Sequence, residues 1–308
     1  MTTLVFGHKS PDTDATGSPV LWAWYLNEIR GDTAEAVLLG EPNTEAAWML
    51  ERWDVPKPRI IDDLDDGQDV VVVDTNNPAE LPANIGGARL RAIIDHHKLS
   101  GGLTTKDPID VIVRPLACTA TVMHEVMGES AARMPDWAKG VMLSCILSDT
   151  LEFSSPTTTD TDRKLAESLA EDLGVQIPQF ATEMFAAKSD ISGFSDVELL
   201  RMDSKHHEVD GTSFRVSVLE TTTPGTVIER RQGLMEAMKT VAQEDGVDHV
   251  LVFIVDILKS EATMLLPDDF TRKVAEKSFS TTCGEGADRV TLPGVVSRKK
   301  QIIPNLAV

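Results

Sequence analysis

Positive charge is the scarcest commodity in this chain of 308 residues. Lys and Arg number 29 against 49 Asp and Glu, a formal net charge of −20. A field of that sign repels nucleic acid and anionic membranes, whose binding rests on Lys and Arg at phosphates. Aromatic residues make up only 5% of the chain, with a single tyrosine, so platforms for stacking bases are few. No apolar run approaches the ~18 residues of a membrane-spanning helix. The opening Met1-Thr2-Thr3 has no basic stretch leading an apolar one, so no secretory signal is expected. Cys118, Cys145 and Cys283 lie far apart with no C-x-x-C pair, which predicts reduced, mostly buried thiols and a cytoplasmic setting. Neither nucleic acid nor membrane is expected as a partner. A small anionic substrate stays open, provided metals or a few cations reverse the field locally.

What is present is ordinary globular material, 42% apolar and 25% charged, long enough for two domains. The first half alternates strand and helix patterns. Strands are predicted over residues 4–6, 36–39, 70–73 and 90–94, and helices over 20–29, 44–53, 119–127, 135–147, 162–173 and 178–188. The four valines at 70–73 are β-branched and continuous, as in a parallel strand buried on both faces. This βαβα order predicts an α/β fold with a doubly wound parallel sheet. A short polar stretch at 189–193 is read as the start of a linker, with domains at 1–188 and 195–308 and residues 189–194 between them. Beyond it the pattern suits a smaller α/β domain with a mixed sheet. Strands are predicted at 213–219, 249–257 and 262–266, a long amphipathic helix at 226–243, and a short helix at 268–277.

The acidic and imidazole side chains gather at the ends of these elements. Gly7-His8-Lys9-Ser10-Pro11-Asp12-Thr13-Asp14-Ala15 follows the first strand and is read as a loop, with Asp12 and Asp14 pointing the same way. Asp74 ends the valine run, Asp95-His96-His97 ends the 90–94 strand, and Asp149 follows the 135–147 helix. In open α/β sheets, ligands bind at the carboxyl ends of the strands. Each signal has a bland alternative when taken alone: helix caps for the first loop, turn residues for Asp74 and Asp149, and a solvated pair for His96 and His97. Together they supply His8, Asp12, Asp14, Asp74, His96 and Asp149. That is too many donors for one four-coordinate zinc. It suits two borderline-to-hard divalent ions, such as Mn²⁺ or Co²⁺, sharing one carboxylate and holding a hydroxide between them. Four carboxylates and two such ions sum to zero charge, so a phosphate-rich substrate needs further cations. Ser297-Arg298-Lys299-Lys300-Gln301 carries three consecutive bases flanked by apolar pairs, either a solvated basic tail or a phosphate grip.

These segments resemble the family II inorganic pyrophosphatases of the DHH phosphoesterase superfamily. The resemblance runs the length of the chain: G-H-K-S-P-D-T-D-A at 7–15, D-T-N at 74–76, D-H-H at 95–97, C-T-A-T at 118–121, S-D-T-L at 148–151, D-x-K at 203–205 and S-R-K-K-Q at 297–301. D-H-H indicates the superfamily; the last two segments single out the pyrophosphatases. The resemblance implies hydrolysis of pyrophosphate to two phosphates at an active site between the two domains, with two Mn²⁺ or Co²⁺ per subunit and Mg²⁺ arriving with the substrate. It implies that His8 and Asp12 hold one metal, that Asp14, His96 and Asp149 hold the other, and that Asp74 bridges them. His97 would stand by the substrate as a proton or hydrogen-bond donor, and Lys205, Arg298 and Lys299 would grip the phosphates. A homodimer joined through the N-terminal domain is also implied. The nearest alternatives are DHH-type enzymes acting on short oligonucleotides, cyclic dinucleotides or polyphosphate; an idle metal-binding protein would be favoured by a missing ligand, and none is missing. The chain departs from the family pattern in three places. Thr75 replaces a usual histidine, which puts metal preference in doubt. Thr16-Gly17-Ser18-Pro19 opens the first helix, with Pro19 expected in its first turn. His206 and His207 stand where an aromatic is common, and both are read as surface residues.

Overall fold

The computed structural model describes residues 2–188, 191–257, 259–284 and 286–308, and the chain divides into two compact units, Met1–Lys188 and Ser189–Val308. The predicted linker at 189–194 begins with Ser189 and Asp190, which lie outside the described residues; residues 191–194 form a turn.

In the first unit the order is β1 (Thr3–Phe6), α1 (Thr13–Tyr25), β2 (Ala34–Leu38), α2 (Thr44–Arg52), β3 (Arg59–Ile60), β4 (Asp69–Val73), β5 (Arg89–Asp95), β6 (Asp110–Val113), α3 (Thr119–Met127), α4 (Asp136–Thr150), α5 (Asp160–Leu173) and α6 (Ile177–Lys188). The six strands form one parallel sheet in the order β3-β2-β1-β4-β5-β6. Alternation sorts the valines of β4. Val71 and Val73 pack with Val5, Ile94 and residues of α1 to α6; Val70 and Val72 pack with Leu4, Phe6 and Ile93 on the other face. There the core is completed by Leu64, Leu81 and Ala88 from loops and short turns. The order reverses direction between β1 and β4, and that switch point opens a crevice at the carboxyl ends of the strands.

Three expectations change here. Helix α1 starts at Thr13, not near residue 20, because Asp12 caps it by accepting from the Ala15 N–H at 3.0 Å. Asp14 therefore sits in a helical turn, and Pro19 lies inside the helix rather than in its first turn. Helix α4 runs on to Thr150, so Asp149 belongs to its last turn. Edge strands β3 and β6 were too short or too polar at their starts to read as strands. Cys118, Cys145 and Cys283 are free thiols, the first two buried, and burial pushes the pKa of both well up.

The second unit contains α7 (Asp196–Met202), β7 (Ser204–Val209), β8 (Thr212–Thr221), α8 (Pro224–Glu229), α9 (Arg231–Asp245), β9 (His249–Asp256), β10 (Glu261–Leu265), α10 (Asp269–Phe279) and β11 (Arg289–Pro293). Its mixed sheet has the order β11-β10-β9-β8-β7, with β8 and β9 parallel and the other neighbours antiparallel. The long helix predicted at 226–243 is two helices that break at Arg230, whose guanidinium bonds Asp196 and the Ile191 and Phe194 carbonyls. Strand β7 escaped notice because Ser204-Lys205-His206-His207-Glu208 is polar at every position; an edge strand needs little apolar surface. Among the described residues, no helix is long and apolar enough to cross a membrane.

Two glycines bring the crevice together. A Cβ on Gly7 would lie 2.7 Å from the Ala15 carbonyl oxygen, so only glycine lets the end of β1 pass so close to α1. A Cβ on Gly17 would collide with Cys145 Sγ of α4 and lie 2.9 Å from Val141 Cγ1. Gly17→Ala is thus expected to push α1 off α4 and destabilise the unit by about 1–3 kcal/mol. Denaturant unfolding of the variant checks this; an unchanged midpoint would refute it.

Candidate metal centre

His8 emerges just after β1, Asp74 just after β4, and His96 and His97 just after β5. Asp12 and Asp14 come from the start of α1 and Asp149 from the end of α4. Asp74 turns sharply into the crevice with a φ of +56°, a left-handed conformation that aspartate tolerates better than most residues. Its two oxygens face different imidazoles. Oδ2 is 3.6 Å from His8 Nε2, and Oδ1 is 3.4 Å from His96 Nε2. The expectation that Asp12 and Asp14 point the same way does not hold. A helix turns by about 100° per residue, and the two carboxylates join different clusters. His8, Asp12 and Asp74 form one; Asp14, His96 and Asp149 form another; Asp74 with His96 and His97 forms a third. Within each, the nearest ligand-capable atoms all lie within 4.8 Å of one another.

Both inner imidazoles are set up as nitrogen donors. His8 Nδ1 lies 2.8 Å from the Lys9 carbonyl and His96 Nδ1 lies 3.2 Å from the Leu116 carbonyl. An N–H on each Nδ1 donates to that carbonyl and leaves the Nε2 lone pair toward Asp74. His97 is different. Its Nδ1 donates to Asp95 Oδ1 at 2.9 Å, and half of its side chain is exposed. Asp95 is fully buried and also accepts from the backbone N–H groups of His96 and His97 and from Asn76 Nδ2. Burial pushes Asp95 up, but the bonds from His97 and Asn76 outweigh it and hold its pKa below the usual range. That same bond raises the pKa of His97.

The carboxylates tell the opposite story. Burial, then the charges of Asp14 and Asp12, push Asp74 well above the ordinary range. Burial, then Asp14, Asp74 and Asp12, do the same to Asp149, whose Oδ2 is buried with no hydrogen-bond partner among the described residues. Burial lowers the pKa of His8, yet bonding to Asp12 and the charges of Asp12 and Asp74 raise it to about 9. Buried like charges with too little compensation and an orphaned oxygen are what divalent cations relieve. The donor set of imidazole and carboxylate fits Mn²⁺ or a similar ion. Asp149 adds a further sign: an acid at a helix C-terminus opposes the helix dipole, so its place there is not owed to helix stability.

Several residues that hold this centre carried no role in the sequence reading. Thr119 joins two of the acids: its N–H donates to Asp14 Oδ2 at 2.7 Å and its hydroxyl to Asp74 Oδ1 at 3.0 Å. Fully buried Glu45 accepts from the hydroxyls of Thr13 and Ser148, tying the start of α1 to the end of α4. Asn76 holds Asp95, the Lys98 carbonyl and Ser100. Thr75, in the position of the usual histidine, donates to Glu80 at 2.6 Å, and the Glu80 carbonyl accepts from the Lys9 N–H. Asn76 and Thr119 lay inside recognisable segments, D-T-N and C-T-A-T; Glu45 had no local signal.

The C-terminal bases also converge. Lys205, Arg298 and Lys299 line one cavity of about 630 Å³, together with Asp203, His207, Glu220, Ser297, Val296 and Ile303. Arg298 is mostly buried and is held by Asp203, through its carboxylate at 2.8 Å and its carbonyl at 2.9 Å. Gln301 clamps the turn by accepting from the Val296 and Ser297 N–H groups. His206 is exposed, but His207 is half-buried and faces this cavity, contrary to its reading as a surface residue.

Replacing Thr119 by valine removes the hydroxyl bond to Asp74 while keeping volume and the N–H bond to Asp14. The expected result is a loss of Mn²⁺ affinity of about 10–100-fold with the fold intact. Calorimetric Mn²⁺ titration beside a thermal melt checks it; unchanged affinity would show that Asp74 does not need Thr119.

Comparison with known proteins places these features. The family model described as "DHH family, N-terminal domain" matches residues 2–148, and "DHHA2 domain" matches residues 182–307. A protein of Deinococcus radiodurans named "Probable manganese-dependent inorganic pyrophosphatase" is 38% identical over 308 aligned residues, covering 98% of this chain and 96% of that one. A protein of the same name from Lactobacillus gasseri is 34% identical over 305 residues, covering 98% and 97%. The crystal structure of the Methanococcus jannaschii putative family II inorganic pyrophosphatase superposes with a TM-score of 0.67 at 31% identity, covering 99% of this chain and 98% of that one. Both modules, in this order and at this identity over the full length, show that the chain belongs to the family II, manganese-dependent inorganic pyrophosphatases.

Proposed function

We propose that this protein hydrolyses inorganic pyrophosphate to two phosphates at a centre of two divalent cations. The observation that carries this is Asp74, whose two oxygens face His8 on one side and His96 on the other. His8 and Asp12 would hold one cation, Asp14, His96 and Asp149 the other, and Asp74 both. Mn²⁺ fits the donor set and the names of the relatives, Co²⁺ fits the donor set equally, and Mg²⁺ would accompany the substrate. When bound, the pair would supply charge for the phosphoryl oxygens and would acidify bound water, whose pKa a divalent metal can lower from ~15.7 to about 7.

The chain's own groups do the rest. The four acids fix where positive charge collects. His97, its Nδ1 held by Asp95, offers a hydrogen bond and a proton to the departing phosphate, and its raised pKa increases the protonated share at neutral pH. Lys205, Arg298 and Lys299 hold the other phosphate; Asp203 presets the guanidinium of Arg298, so little is lost in ordering it. Phosphoryl transfer asks mainly for this positioning and neutralisation. A homodimer through the N-terminal unit and a cytoplasmic location belong to the same proposal, and light scattering of the purified protein tests the first.

The test is phosphate release from pyrophosphate by metal-stripped protein, with Mg²⁺ alone and after adding Mn²⁺ or Co²⁺, beside bis(para-nitrophenyl) phosphate and a dinucleotide. Rapid hydrolysis of pyrophosphate that needs the transition metal, with no action on the diesters, is expected. Cleavage of the dinucleotide without pyrophosphate hydrolysis would overturn the substrate. Asp74→Asn is expected to abolish turnover. Arg298→Ala should raise the KM for pyrophosphate by about 10–100-fold, from the ~1.5–3 kcal/mol of a hydrogen bond to a charged group; an unchanged KM would remove Arg298 from the site.

A further inference from the structure

The cavity of the second unit holds a group with no part in that scheme. His207 stands two residues beyond Lys205 on β7, so both side chains leave the same face of the strand. In the ladder with β8, Lys205 is opposite Val216 and His207 opposite Phe214, both core residues. An apolar ring at this position would pack against that core at no polar cost. The imidazole instead leaves Nε2 shielded from water with no hydrogen-bond partner among the described residues, at a cost of about 1–3 kcal/mol.

The charges around it define what would satisfy it. Lys205 shares its strand, Arg298 and Lys299 come from the C-terminal turn, and Asp203 and Glu220 complete the charged lining. Asp203 is engaged by Arg298. On β8, Arg215 is opposite the neighbouring His206 and is paired with Asp245. Burial, then the charges of Arg298, His206 and Lys205, hold the pKa of His207 below the usual imidazole value. An anion rich in oxygen acceptors reverses both conditions, because it offers a partner to an imidazole N–H and favours the charged ring.

We propose that His207 is a phosphate contact of this cavity and that the anion binds there together with a proton on the imidazole. The proposal rests on the reading that Lys205, Arg298 and Lys299 hold one phosphate of the substrate. With the anion bound, the His207 pKa lies above its value in the free protein. Between those two values binding takes up a proton, and affinity falls as pH rises through the bound-state value. Each unit separating them is worth about tenfold in affinity.

The experiment is calorimetric titration of the Mn²⁺-loaded full-length protein with methylenediphosphonate, a diphosphate that cannot be hydrolysed. It is run in two buffers of different ionisation enthalpy, near pH 6 and near pH 8. Wild type should take up more protons on binding than His207→Gln, and should bind about tenfold more tightly near pH 6, with the gap closing near pH 8. His207→Phe, which keeps the ring volume against Phe214, should lose the same proton uptake, so the result does not hang on one substitution. Equal proton uptake and parallel pH profiles in wild type and both variants, while Arg298→Ala weakens binding, would overturn the role of His207 and leave the phosphate cavity standing. Unchanged binding in Arg298→Ala would remove the cavity itself, and His207 with it.

Discussion

Mutual repulsion among four carboxylates, two of them buried, is the constraint on which the first unit depends. Asp12, Asp14, Asp74 and Asp149 converge at the carboxyl ends of the sheet, and Asp74 and Asp149 are held well away from their ordinary ionisation. A protein interior tolerates such a cluster only if counter-charge is supplied, because an uncompensated buried charge costs several kcal/mol. The imidazoles of His8 and His96 are arranged to give Nε2 lone pairs rather than charge. In the proposed reading, two divalent cations close the balance. The fold makes the cluster possible by bringing the switch point between β1 and β4 next to the ends of α1 and α4.

Precision in the cluster comes from buried groups outside the proposed ligand set. Thr119 sets the spacing of Asp14 and Asp74 through one residue, with its N–H on one acid and its hydroxyl on the other. Glu45 ties two helix ends with two hydroxyl bonds. Asp95 is spent wholly on orientation: every bond it accepts fixes His96, His97 or Asn76. It opens the D-H-H segment, and its depressed pKa marks it as a satisfied carboxylate, the reverse of Asp74 and Asp149. Chemically identical side chains thus divide into satisfied and unsatisfied carboxylates according to whether hydrogen-bond donors reach them.

The second unit solves the converse problem. In a chain of −20 net charge, three cations must be kept together without being neutralised. Asp203 engages Arg298 without covering Lys205 or Lys299, and the cap by Ser297 and clamp by Gln301 hold the basic turn against the edge of a mixed sheet. His207 adds a group whose charge responds to the ligand, which fixed cations cannot do.

The parallel sheet was legible in sequence because four β-branched residues at 70–73 bury on both faces, a pattern local enough to read. The residues that cluster in the crevice were legible because they stand near the ends of apolar runs, and the basic turn because three cations interrupt an apolar tail. Other features were not. Whether Asp12 and Asp14 serve one cluster or two depends on where α1 begins, which the Asp12 cap settles. Strand β7 carries almost no apolar signal because its partner β8 supplies the order. The break at Arg230 follows from contacts to residues 191–196. The role of Glu45 exists only because α1, α2 and α4 meet. By itself, then, the sequence determined which side chains could do chemistry and what class of sheet would carry them, since composition and periodicity act over a few residues. Only the tertiary structure decided how the carboxylates are partitioned, which of them hydrogen-bond donors satisfy, and that His207 belongs to the cavity, because those depend on distances between residues far apart in the chain.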